Sequence, residues 1–116
     1  MVSYVKNLQS DGTIVLISPA WFDLNFLYYY NHDWFKNLNY SDSLHDHSIF
    51  QLNNLKQMNT INFLSASAVL YIDAGSEIID RDHKIFESLS NSFPDNSRQE
   101  FPGHMTVYQL KKEMPR

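Results

Sequence analysis

Two apolar runs constrain this chain most: TIVLIS at 13–18 and AVLYID at 68–73. Each is bounded by polar or turn-forming residues, and neither alternates apolar with polar positions. Short continuous apolar runs of this kind are expected of strands covered on both faces. Such strands belong to sheets flanked by helices, and helical patterns do fall between them. The expected fold class is therefore α/β: three layers, a mostly parallel open sheet of about four to five strands, helices on both faces and a C-terminal antiparallel hairpin.

The remaining elements follow from local pattern. SYVKNLQ (3–9) reads as a short amphipathic helix, stopped by Ser10-Asp11-Gly12. Pro19 ends the first strand and can open a helix over 20–30, because the first helical turn needs no amide donor there. In that helix Phe22, Phe26 and Tyr29 fall at i, i+4 and i+7 and are expected to pack on the sheet, with Trp21, Leu24 and Tyr28 forming a second stripe. DWFKNL (33–38) reads as a second strand, and SDSLHDHSIFQL (41–52) as a helical turn leading into a strand-like piece. Residues 53–67 are Asn- and Ser-rich and weakly structured, with Leu55, Met58, Ile61, Phe63 and Leu64 as the expected buried positions. A helix over 82–93 buries Ile85, Phe86, Leu89 and Phe93, with Asp80 or Asp82 as its cap. RQEF (98–101), Pro102-Gly103 and HMTVYQL (104–110) close the chain as a hairpin.

Length and composition narrow the functional classes. A chain of 116 residues is expected to be one domain, residues 1–116, with a core that needs no staples. There are no cysteines, which removes disulfides and thiolate metal sites. The formal charge is −4, and residues 1–80 carry only Lys6, Lys36 and Lys56 as basic side chains. No basic stripe could neutralise a row of phosphates, so nucleic acid is not an expected partner. The most apolar window, 13–30, is interrupted by Pro19, Asp23 and Asn25 and does not read as a membrane span. The chain as given is expected to be soluble.

Few constellations carry chemistry. His45-Asp46-His47 would point two imidazoles the same way on a strand, but the spacing matches no strong zinc motif, and no metal is expected. Asp80-Arg81-Asp82 has a DxD form, yet both aspartates stand where helix caps belong. Neither GxGxxG nor GxxxxGK[ST] occurs, and no catalytic set can be argued from spacing, so no catalytic residue and no cofactor is assigned. Ligands of open α/β sheets bind at the carboxyl ends of strands. That rule nominates Ser18, Asp73, Gly75 and Ser76 for a ligand or acceptor, against the plainer reading of Asp73 and Gly75 as turn residues.

The aromatic residues are the stronger clue. Eight of the fifteen residues in WFDLNFLYYYNHDWF (21–35) are aromatic. Trp21, Tyr28, Tyr30 and Trp34 exceed what one sheet face can cover, and amphipathic aromatics favour interfaces, sugar faces or a lipid boundary. They are the candidate docking face.

The string GTIVLISPAWFDLNFLYYYNHDWFK (12–36) resembles a segment of multi-pass membrane glycosyltransferases of the dolichyl-phosphate-mannose–protein mannosyltransferase type. AVLYIDAGSE (68–77) and FPGHMTVYQLKK (101–112) are similar to later strands of the same soluble C-terminal domain, while 39–67 match poorly. The family's catalytic carboxylate lies beside its first membrane helices and has no counterpart here. The resemblance therefore implies a non-catalytic accessory domain, excised from a larger protein, on the extracytoplasmic (periplasmic) side of the cytoplasmic membrane. Its implied partners are the transmembrane catalytic portion of the same polypeptide and a glycan or lipid-linked acceptor. Two other classes stay open: a small acidic immunity or inhibitor protein that neutralises a basic toxin enzyme, and a small-ligand-binding α/β module using loops 18–19 and 73–77.

Overall fold

The computed structural model describes residues 1–36 and 38–112. Five strands form one mixed sheet in the order β2-β1-β3-β5-β4. They are β1 (Thr13–Ser18), β2 (Ile49–Gln51), β3 (Ala68–Asp73), β4 (Asp95–Phe101) and β5 (Met105–Lys111). β1 pairs in parallel with β2 and with β3, and β5 is antiparallel to both β3 and β4. The sheet is thus α/β and parallel in one half, with the antiparallel hairpin docked on β3. All six residues of β1 are buried, as expected of a central strand with no polar face.

Alternation along the strands divides the core in two. Val15, Ile17, Leu70, Ile72 and Val107 pack with Val5, Phe26, Leu27 and Leu44 of the helices α1 (Val2–Leu8), α2 (Asp23–Tyr30) and α4 (Tyr40–Asp46). Ile14, Leu16, Val69, Tyr71 and Leu110 pack with Ile85, Leu89 and Phe93 of and beside α5 (Lys84–Ser92), and with Met58 and Ile61 of and beside a 3₁₀ segment (Leu55–Thr60).

Several expectations need correction. The proposed strand at 33–38 is a one-turn helix, α3 (His32–Phe35), with position 37 outside the described residues. Asn31 caps it by accepting the Trp34 amide on its side chain at 3.3 Å, which favours a helical turn over an extended strand here. The helix expected over 20–30 is a 3₁₀ turn (Ala20–Phe22) followed by α2, and the Ser18–Pro19 peptide before it is cis. Leu55 and Leu64 are exposed, whereas Met58 and Ile61 are buried as expected. β4 begins at Asp95, just after Pro94, three residues before the expected start, and is exposed along nearly its whole length. No described helix is long and apolar enough to cross a membrane.

Candidate functional site

Helix α2 turns a different face to the sheet from the one its apolar residues suggest. Phe26 and Leu27 are fully buried, Asp23 nearly so, and Phe22 and Tyr30 pack half-buried against the same cluster. Tyr29, expected in the core, is 72% exposed. The buried stripe is Asp23, Phe26, Leu27, Tyr30, and at about 100° per residue Tyr29 lies well around the cylinder from its centre. An apolar count misses that stripe because a carboxylate belongs to it.

Of the four nominated docking residues, Trp21 and Tyr28 face outward, 59% and 48% exposed. Tyr30 and Trp34 are half-buried and take part in packing. The Tyr30 hydroxyl donates to Gln9 Oε1 at 2.9 Å while its ring stacks on Phe26 with 5.0 Å between centroids. Trp34 lies against the rings of Tyr30 and His47. The outward patch gains members that were not nominated: Leu24, Tyr29 and Phe35.

This patch is ordered by its own contacts. The Tyr28 ring meets Tyr29, His32 and Phe35 edge to face at 5.0, 5.0 and 5.4 Å. Edge-to-face geometry of this kind contributes beyond simple area burial. Beside the patch, α1 and α2 bound an apolar groove of about 800 Å³ lined by Val2, Phe22, Leu24, Tyr28, Tyr29 and Phe35, among others. Lys6 stands at its rim, its ammonium 5.1 Å from the centre of the Tyr30 ring, a cation–π distance. The groove has the size of a small-molecule cleft and the composition of an interface.

The nominated strand-end residues serve the backbone. Asp73 Oδ1 accepts from the amides of Gly75 and Ser76 at 3.2 and 2.8 Å, closing a turn in which Gly75 has φ +99°. Ser18 and Ser76 are buried, at the carboxyl ends of β1 and β3. Among the described residues the Ser18 hydroxyl makes no hydrogen bond, although both hydroxyls lie near enough to the Tyr71 phenol to oppose the effect of burial on it. That burial dominates and pushes the Tyr71 phenol up to about 12. The crevice between β1 and β3 is packed shut.

His45 and His47 sit at the end of α4 and beyond, not on a strand, and they diverge. His45 Nε2 meets Gln51 Oε1 at 2.8 Å, and His47 Nδ1 meets the Ser43 carbonyl at 2.9 Å. No group of three or more metal-ligating side chains converges among the described residues. Asp80 of the DxD string accepts the amides of Lys84 and Ile85 at 3.1 and 2.9 Å, as a cap for α5. Compared with family models, curated proteins and solved structures, the chain matches none of them.

Proposed function

We propose that this chain is a non-catalytic docking domain of a polyprenyl-phosphate-sugar-dependent membrane glycosyltransferase, on the extracytoplasmic side of the membrane. In this reading it is a three-layer α/β unit whose outer helical layer, α1 and α2, meets the transmembrane catalytic portion. The observation that supports it is the groove beside Trp21, Leu24, Tyr28, Tyr29 and Phe35, an aromatic surface with a single lysine at its rim. Contiguous apolar surface on a small domain marks an interaction site. The sugar-enzyme assignment draws on the sequence resemblance at 12–36 and 68–77.

The test is a photo-crosslink in cells. A benzophenone amino acid replaces Tyr28, the cells are irradiated, and the adduct is identified by mass spectrometry. The expected product joins this domain to a multi-pass membrane segment of the same polypeptide. A second reading, an acidic inhibitor of a basic enzyme, draws on the formal charge of −4 and the same exposed aromatics. An adduct with a soluble basic enzyme would replace the first reading by the second.

A further inference from the structure

Ligand crevices of open α/β sheets form where neighbouring parallel strands send their following connections to opposite faces. β1 leads into α2, whose Phe26 and Leu27 pack with Val15 and Ile17. β2 leads into the 3₁₀ segment, whose Met58 packs with Ile14 and Leu16 on the other face. The crevice between the carboxyl ends of β1 and β2 is therefore such a point. Unlike the β1–β3 crevice it is open, a cleft of about 360 Å³ lined by Asp23, His45, Phe50, Gln51, Thr60 and Ile61, among others. That volume lies within the range of small-ligand pockets.

The cleft holds a prepared acceptor. Asp23 is only 7% exposed, and no ion pair to it occurs among the described residues. Gln51 orients it. The Gln51 amide nitrogen donates to Asp23 Oδ2 at 3.0 Å and to Ser41 Oγ at 3.1 Å, so the amide oxygen is the acceptor left for His45. His45 therefore donates through Nε2, and its ring stacks on Phe50 with 5.2 Å between centroids. Across from these, Ala20 N donates to Asn53 Oδ1 at 2.9 Å and fixes the two strand exits relative to each other. A nearly buried carboxylate held by the neutral Gln51 amide, with the Tyr40 hydroxyl beside it, has no cationic side chain against it among the described residues, and among them no lysine or arginine lines the cleft.

We infer that the β1–β2 crevice is a binding site for a small organic amine, whose ammonium group would sit on Asp23 and whose carbon skeleton would lie between Phe50 and Ile61. The site is separate from the aromatic groove and does not rest on the docking reading.

Amide chemical shifts of the ¹⁵N-labelled chain, titrated near neutral pH with 1,4-diaminobutane and with its neutral match 1,4-butanediol, test it. The diamine is expected to shift Asp23, Gln51 and Thr60 saturably, and the diol is not. Asp23→Asn should weaken the diamine response at least tenfold. Thr60→Trp, placed on the exposed rim to fill the cleft, should abolish it while the β4 amides keep their folded positions. The inference is overturned by any of three results: no saturable shift up to ~20 mM diamine, an equal response to the diol, or a response that survives Thr60→Trp in the folded chain.

Discussion

The residues that depart from a simple apolar pattern explain most of this molecule's behaviour. Asp23 is the clearest case: a carboxylate in a buried stripe, tolerated because Gln51, 28 positions away in sequence, donates to it. Nothing local announces that partner, so counting apolar residues assigned the buried face of α2 to Phe22, Phe26 and Tyr29. The available signal was the misfit itself, an aspartate three residues before Phe26 on a helix whose other strongly polar residue is Asn25. Tyr71 departs in the other direction, as a phenol 1% exposed within the core. Its raised value, about 12 against an ordinary 10.0, means that the folded state holds this proton more tightly than the unfolded state. The stabilisation is complete below pH 10 and is lost as pH rises from there towards about 12, a change of roughly 2–3 kcal/mol. The stability of the native chain against urea should therefore fall steeply above pH 10, and Tyr71→Phe should flatten that slope. An identical slope in both proteins would show that another group controls alkaline unfolding.

At the scale of elements, legibility follows how much of the pattern is local. β1 and β3 were legible as continuous apolar runs and α5 by its 3.6-residue spacing, because in each the burial periodicity is written in consecutive residues. α3 was not, since its decision rests on one side-chain bond from Asn31 and on rings contributed by neighbouring segments. The nominated strand-end residues lie at the carboxyl ends of β1 and β3. Which crevice stays open depends on strand order and on the face each connection takes, and neither is readable along the chain. The start of α5 offers an element-scale prediction. His83, the residue before the helix, has φ +54° and makes no side-chain cap, so among the described residues it is Asp80 that satisfies the Lys84 and Ile85 amides. Asp80→Ala should cost about 1–2 kcal/mol, as cap removals do, with Asp80→Asn recovering only part of the loss, because its single amide oxygen can accept from only one of the two amides. Denaturation midpoints of the three proteins at neutral pH decide it. Equal midpoints for Ala and native would mean that water serves those amides as well.

Taken as a whole, the molecule keeps two aromatic populations on one helix. Phe26 is fully buried beneath α2, while Trp21, Tyr28 and Tyr29 stand in solvent around the same helix and its 3₁₀ entry. Stability and attachment should accordingly separate. Phe26→Ala removes a ring that packs on Tyr30 and on the β1 side chains Val15 and Ile17, and should cost roughly 3–5 kcal/mol. The double substitution Tyr28→Ser with Tyr29→Ser removes rings that, among the described residues, meet one another, His32 and Phe35 edge to face. Its expected cost to the isolated domain is about 1–2 kcal/mol, from the lost edge-to-face pairs, and well below that of Phe26→Ala. On the docking reading proposed above, the same pair should sharply lower the photo-crosslink yield from a benzophenone placed at Trp21 in cells, because contact with the groove would be lost while the domain stays folded. Comparing the two measurements on one variant discriminates the roles. A large loss of stability would make these rings part of the core, and an undiminished crosslink would move the docking surface elsewhere on the domain.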